Sequence, residues 1–459
     1  MATRTNSSSG RANFGSTVGI VLATAGSAVG LGNVWRFPYM TGQNGGAAFL
    51  IVYIGCVMLL GIPCMINEFI IGRRAQANTA RAYTKLAGGG PWSAVGYLGV
   101  LTGFLITGYY AVVSGWCLQY IYASLMGHLK GDAAYITEYF GQFVSHPWKP
   151  IVWMLVFFAI THVVIVCGVQ KGIERASKLL MPTLFILLLI IVVASCMLPG
   201  AADGIRFLFM PDFSKMGRDV FLGALGQSFY SLSLAMGCIC TYASYFSRRT
   251  NLMQSAVQIS IVDSFVAILA GLMIFPAAFS VGVSPDSGAS LVFITLPNVF
   301  QQAFSAMPVV GYVIAVAFYA LLALAALTSL MSLHEVSTAF FHEELHIHRH
   351  WGALIVTVSC AVIGCFCSLS FSHAELSLFG MSLFDLFDFV TGQLFLPIGG
   401  FLTCLFLGWV VPRRIVVDEF TNRGTLHVRR WVLRAYLFSI RYMCPLFILL
   451  IILHQFGVI

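Results

Sequence analysis

The sequence predicts an all-α membrane protein of eleven transmembrane helices, folded as two inverted five-helix repeats (spans 1–5 and 6–10) with spans 1 and 6 broken at mid-membrane. Three observations carry that expectation. Of the 459 residues, 59% are apolar and only 9% charged, where a soluble domain carries about 25% charged residues. Lipid is therefore the solvent, and both a water-soluble globule and a disordered chain are excluded. Apolar runs recur at the length of a bilayer crossing, and at roughly 20 residues per crossing the chain holds about eleven of them. Two of these runs are interrupted by glycines and polar residues, which leave backbone groups that lipid cannot satisfy.

The runs fall near 15–40, 47–71, 92–126, 151–169, 177–198, 220–245, 252–282, 307–341, 352–371, 381–411 and 433–457. They make one domain over 1–459, with 15–198 as the first repeat, 220–411 as the inverted second repeat and 433–457 as a peripheral eleventh span. The first fifteen residues are polar and lack an apolar core ending at a cleavage site, so no cleaved signal peptide is expected. With the N-terminus in the cytoplasm, eighteen of the 25 Lys and Arg fall in cytoplasmic segments and five in the opposite loops. Positive loops stay inside, so the N-terminus is expected to be cytoplasmic and the C-terminus extracytoplasmic, in a multi-pass cell-membrane protein.

The net charge of +8 is scattered over loops, which gives no basic face for nucleic acid. The twelve cysteines lie mostly in apolar runs without zinc-ligand spacing and read as small hydrophobes.

Span 1 contains Ala25-Gly26-Ser27-Ala28-Val29-Gly30-Leu31-Gly32-Asn33. Each Gly costs about 1 kcal/mol relative to Ala in a helix, so the segment either breaks or serves as a small-residue packing face. Span 6 carries the polar interval Gly226-Gln227-Ser228-Phe229-Tyr230-Ser231-Leu232-Ser233-Leu234-Ala235-Met236-Gly237. Both are first members of a set of five, the placement expected when inverted repeats build a transporter around discontinuous helices. Helix ends inside the membrane offer N–H groups to an anion and carbonyls to a cation, which suits a zwitterion together with Na⁺.

Intramembrane charges need a partner or a role, since each costs on the order of 3 kcal/mol or more. Asp263 in span 7 is either an Na⁺ ligand or a structural aspartate with hydroxyl neighbours. Arg36 is placed to pair with Asp385 or Asp388 at the outer end of span 10, and Glu68 and Glu335 are structural or proton-handling. The adjacent hydroxyls Thr328 and Ser329 in span 8 are packing groups or oxygen ligands for a hard cation. His342, His346, His348 and His350 read as a solvated loop beside Glu343 and Glu344. An intramembrane enzyme is disfavoured, because no nucleophile stands with a base at helical spacing.

The stretch Gly26-Ser27-Ala28-Val29-Gly30-Leu31-Gly32-Asn33-Val34-Trp35-Arg36-Phe37-Pro38, followed by Asn44-Gly45-Gly46, resembles the first-span signature of the neurotransmitter:sodium symporter family. Lys171-Gly172-Ile173-Glu174-Arg175, Met181-Pro182, Thr241-Tyr242-Ala243-Ser244-Tyr245 and Ala326-Leu327-Thr328-Ser329 extend the resemblance along nearly the whole chain, towards bacterial transporters of leucine and other hydrophobic amino acids. The twelfth span common in the family has no counterpart here.

The resemblance implies a first Na⁺ site at the Ala28 carbonyl, Asn33, Ser231 and Asp263, completed by the substrate carboxylate, and a second at the Gly26, Val29 and Ala325 carbonyls, Thr328 and Ser329. It places the substrate carboxylate at the Leu31 and Gly32 amides and Tyr110, and the ammonium at carbonyls of Ala28, Tyr230 and Ser231 with Ser233. Ser27 counts with the same substrate set. The side-chain pocket is Ile106, Tyr110, Tyr230, Met236, Ser329 and Leu333, an apolar lining suited to a large hydrophobic or aromatic L-amino acid. Arg36 and Asp388 with Tyr230 form the outer gate, Arg11 and Glu343 the inner one. Gly30 stands where amine-carrying relatives hold Asp, and Asp263 and Ala267 stand where chloride-dependent relatives hold a neutral residue and Ser. Sodium-coupled, chloride-independent symport with two Na⁺ follows, with a proton-coupled amino-acid transporter of the same architecture as the alternative. Neither reading involves an enzymatic cofactor.

Overall fold

The computed structural model describes residues 14–282, 291–372 and 376–457. Nine described helices are long and apolar enough to cross a membrane: Ala47–Ala75 (span 2), Ser93–Leu125 (span 3), Lys149–Val166 (span 4), Val169–Cys196 (span 5), Leu252–Ser280 (span 7), Pro308–Glu344 (span 8), Arg349–Leu369 (span 9), Leu383–Val410 (span 10) and Arg430–Gln455 (span 11). Val18–Ala28 and Gly32–Gln43, bent by 53° where they meet, form a further broken crossing, span 1. In the region expected for span 6 the chain divides into Arg218–Ser231 and Cys238–Ala243. Neither piece spans a bilayer alone.

Local chemistry explains the ends and bends. Ser16, Asn78 and Asn251 cap helices by accepting from Gly19 N, Arg81 N and Gln254 N at 3.0–3.1 Å. Wide π-turns at Gly32–Arg36, Val57–Gly61, Leu291–Thr295, Phe389–Phe395 and Ser439–Met443 each precede a proline, at Pro38, Pro63, Pro297, Pro397 and Pro445. Proline lacks the N–H that the earlier carbonyl needs and its ring crowds that turn, so the ladder shifts by one residue rather than breaking.

Span 5 begins at Val169, eight residues before the expected position. Its charged first turns are helical because Glu174, only 3% exposed, is held by Gly15 N, Ser16 Oγ and Lys178 Nζ at 2.7–2.9 Å. One two-stranded hairpin, pairing Ser377 with Ser382, interrupts an otherwise helical fold among the described residues.

Span 3 packs along spans 4, 8 and 9, while the first half of span 1 lies among spans 5, 7 and 8. The two pieces of the sixth element pack on span 2. Broken segments are thereby enclosed by protein, where freed backbone groups find partners that acyl chains lack.

Candidate functional site

The first helix ends at Ala28, and Val29 is extended (ψ 102°) with its N–H on the Ala25 carbonyl at 2.7 Å. Gly30 fits here because an added Cβ would stand 2.5 Å from Ser329 Oγ and 3.2 Å from the Tyr110 hydroxyl. In the sixth element Ser233, Ala235 and Gly237 have φ of 52°, 63° and 78°. Two non-glycine residues in the left-handed region hold that unwound segment at a cost of order 1–3 kcal/mol each. Glu68 of span 2 offsets part of that cost, accepting from Ala235 N at 2.6 Å and from Cys240 N at 3.2 Å. The fold thus uses Glu68 as a clamp on the break.

Freed oxygens gather around span 8. Ser329 Oγ lies 3.4–3.5 Å from the Gly26, Ser27 and Val29 carbonyls, and Thr328 Oγ1 lies 3.0 Å from the Ala325 carbonyl and 3.5 Å from that of Val29. All these residues except Ser27, with Ala325 among them, belong to the set expected for a second Na⁺. Hard cations bind oxygen-only cages of this kind, and the donor set fits Na⁺.

The second centre is Asp263, wholly buried. Its Oδ1 accepts from Asn33 Nδ2 at 2.8 Å, and its Oδ2 from Ser231 Oγ at 2.8 Å and the Tyr53 hydroxyl at 3.2 Å. Asn33 Oδ1 in turn accepts from Gly30 N at 3.1 Å. Among the described residues no cationic side chain pairs with this carboxylate. Gln227 reaches the Gly32 carbonyl with Nε2 at 3.5 Å, and its buried Oε1 has no partner. A buried carboxylate without a cationic partner, set among amide and hydroxyl oxygens, offers the kind of donor an alkali ion takes.

Between these centres lies a cavity of ≈ 40 Å³ lined by Ser27, Ala28, Gly30, Gly32, Ile106, Tyr110, Tyr230, Ser231, Ser233, Met236, Ser329 and Leu333. Every residue expected to bind substrate lines it except Leu31, whose N–H donates to the Tyr110 hydroxyl at 3.2 Å. Ser233 Oγ donates to the Ser27 carbonyl at 2.9 Å, and Ser27 Oγ to Ser332 Oγ at 2.8 Å. Ser332 was not expected, although it lies one helical turn beyond Ser329 on the same face. The cavity holds about one water-sized volume, so an amino acid fits only once lining side chains move.

Tyr230 and Tyr110 separate this cavity from a second one of ≈ 280 Å³, lined among others by Trp35, Arg36, Tyr109, Phe384, Asp385 and Asp388. An Arg36 ion pair with either aspartate was expected, and no such pair forms among the described residues. The guanidinium carbon of Arg36 sits 4.4 Å from the Tyr230 ring centroid, a cation–π contact. Asp388 instead accepts from the Tyr109 hydroxyl at 3.1 Å, and Asp385 from Ser382 Oγ at 2.7 Å. The two charges line one cavity, and each is met by a nearer neighbour.

Of the expected inner pair, Arg11 lies outside the described residues, and Glu343 accepts from Asn78 N at 2.7 Å. Glu335 forms a buried ion pair with Arg349 at 2.6 Å and accepts from the Tyr245 hydroxyl at 2.7 Å. Within its own span Glu335 has no candidate cation, and Arg349 reaches it from the start of the next.

A helical membrane bundle whose interrupted helices surround oxygen cages and a small enclosed cavity defines an ion-coupled carrier rather than an enzyme. The chain belongs to the sodium:neurotransmitter symporter family, whose profile matches residues 11–139 and 136–458. An uncharacterized sodium-dependent transporter of Bacillus subtilis is 36% identical over 457 residues, covering 97% of this chain and 98% of that one. Another, of Haemophilus influenzae, is 31% identical over 459 residues, with 97% and 98% covered. Among solved structures, MhsT in complex with L-phenylalanine superposes with a TM-score of 0.88 at 41% identity, covering 97% of this chain and 100% of that one. The protein is a multi-pass, sodium-dependent membrane transporter.

Proposed function

We propose that this transporter carries a large hydrophobic or aromatic L-amino acid into the cell together with two Na⁺ ions, independently of chloride. The observation that carries the reading is the pairing of an uncompensated buried Asp263 with a separate all-oxygen cluster at Thr328 and Ser329, on either side of one apolar cavity. In it, one ion sits among the Ala28 carbonyl, Asn33, Ser231 and Asp263, and the other among the Gly26, Val29 and Ala325 carbonyls, Thr328 and Ser329. The substrate carboxylate completes the first ion's shell, so each ligand raises the other's affinity. Potential supplies about 2.3 kcal/mol per charge per 100 mV for inward movement.

Substrate class follows from the lining. Ile106, Met236 and Leu333 bring no charge to hold a basic or acidic side chain, and Met236 adapts to different shapes. The binding of L-phenylalanine by the structurally similar MhsT supports the same class. Gly30 leaves no carboxylate for an amine lacking its own. Asp263 supplies the negative charge that chloride brings in relatives with a neutral residue there. Tyr230 acts as the lid between the two cavities, with Arg36 and Asp388 closing over it, and Arg11 with Glu343 closing the cytoplasmic side. The N-terminus is cytoplasmic and the C-terminus extracytoplasmic, by the distribution of Lys and Arg.

Equilibrium binding of labelled L-phenylalanine and L-tryptophan to purified protein tests this reading. Binding is expected to require Na⁺, to persist when gluconate replaces chloride, and to be displaced by leucine or methionine but not by lysine or glutamate. Accumulation in choline medium at acidic external pH would instead select proton coupling.

A further inference from the structure

A cavity of ≈ 340 Å³ lies away from the transport site, where the end of span 3 and the following turn meet the start of span 8 and the segment Leu296–Ala303. Its volume falls within the roughly 300–1,000 Å³ of small-molecule sites. Leu129, Pro297, Phe300, Phe304 and Ala315 make most of the wall apolar.

Tyr312 on that wall donates its hydroxyl to the Leu125 carbonyl at 3.0 Å, whereas three other groups, Ser124, Gln301 and the exposed Lys130, keep donor capacity facing the cavity. Ser124 is 4% exposed, and its Oγ has no hydrogen-bond partner. Gln301 accepts from Gly131 N through Oε1 at 3.1 Å, which fixes the amide orientation and leaves the buried Nε2 without an acceptor. Lys130 folds back over Gly127, its Nζ only 3.8 Å from where a Cβ there would stand, and no carboxylate pairs with it among the described residues. An orphaned buried donor costs about 1–3 kcal/mol, and such a group is expected to have a partner. A cation, an orphaned amide N–H and a free hydroxyl on an apolar cavity call for an acceptor-rich head carrying one negative charge on an apolar body. Among the described residues no carboxylate lines the cavity to hold an ammonium group, which sets this site apart from a second amino-acid site. Tyr312 lines the cavity at 37% exposure beside Val309 and Val313, which are 75% and 53% exposed, so the cavity adjoins the apolar surface of span 8.

We propose that this cavity binds a monocarboxylate with an apolar tail, its head held by Lys130, Gln301 and Ser124 and its tail by Phe300 and Phe304. The carboxylate can come from the bilayer, as a fatty acid, or from solution, as a small aromatic acid. Both share the recognition chemistry.

The test measures binding of labelled dodecanoate and phenylacetate to the full chain in lipid nanodiscs, with empty nanodiscs as background and the thermal midpoint as the check on folding. Saturable binding of at least one acid is expected, about tenfold weaker in Lys130→Met, which loses a charge-assisted hydrogen bond. It should be abolished in Ala315→Phe, which fills the cavity, while both variants keep the wild-type midpoint. Should Ala315→Phe fail to fold, Gln301→Leu takes its place with an expected weakening. Binding of dodecanoate alone identifies a lipid source and binding of phenylacetate a soluble one, and either supports the site. Absence of binding by both acids, equal affinity for dodecanol and dodecanoate, or affinities unchanged in the variants overturns the proposal.

Discussion

Replacing Asp263 with Asn removes one negative charge while keeping the shape of the side chain. The carboxylate is completely buried, and its oxygens are met by Asn33 Nδ2, Ser231 Oγ and the Tyr53 hydroxyl. Asparagine keeps one oxygen for Asn33. The two hydroxyls can rotate from donating to accepting against the new amide N–H groups, so the fold is expected to survive. What disappears is the charge next to the proposed ion. At about 4 Å and an effective dielectric near 20, that interaction is worth about 4 kcal/mol. At 1.4 kcal/mol per decade this becomes a loss of about a thousandfold in Na⁺ affinity. A sodium titration of L-phenylalanine binding to purified Asp263→Asn, paired with a melting curve, measures it. Half-saturating Na⁺ should move far above the wild-type value with the melting temperature in the absence of ligand largely kept, and added chloride should recover part of the loss. A midpoint within about threefold of wild type, less than 1 kcal/mol, would refute the assignment of Asp263 to the ion.

The other predictions probe separate parts of the site. Thr328→Val is nearly isosteric and removes one oxygen from the cage at Gly26, Val29, Ala325 and Ser329; half-saturating Na⁺ should rise by about tenfold or more, read in the same titration. Gly30→Asp puts its Cβ 2.5 Å from Ser329 Oγ and a carboxylate where the substrate's own would lie, so Na⁺-dependent amino-acid binding should be abolished, as scored by equilibrium binding. Arg349→Met leaves Glu335 buried without its cation, which should destabilise the protein by about 3–5 kcal/mol; the melting temperature should fall sharply, and Glu335→Gln in the same chain should recover much of it.

How far the sequence could be read is clearest in spans 1 and 6. Glycines at 26, 30 and 32 and the polar interval from Gln227 to Gly237 are local features, and a helix in lipid has no alternative way to satisfy the backbone they expose. Both expected breaks are present. Asp263, Thr328 and Ser329 were equally visible, because an ionisable or paired polar residue in an apolar run must be partnered. Glu68 was visible as a residue, although its role was not. Nothing within its own span indicates that Ala235 N and Cys240 N, about 170 positions later, meet its two oxygens. The charged stretch at 170–176, left between the expected spans 4 and 5, folds as helix, since Lys178 and the chain near Ser16 satisfy Glu174.

The sequence by itself determined the solvent, the placement of the crossings and the positions of the breaks. Each follows from the cost of apolar surface in water or of unpaired peptide groups in lipid, and those costs are charged residue by residue along the chain. Only the tertiary structure decided that Ser329 meets carbonyls some 300 positions earlier, that Asp388 turns to Tyr109 while Arg36 covers Tyr230, and that Glu335 finds Arg349. Those pairings depend on how each helix is rotated and where it crosses its neighbours. That is set by the collective packing of side chains over the whole bundle, which no single segment encodes.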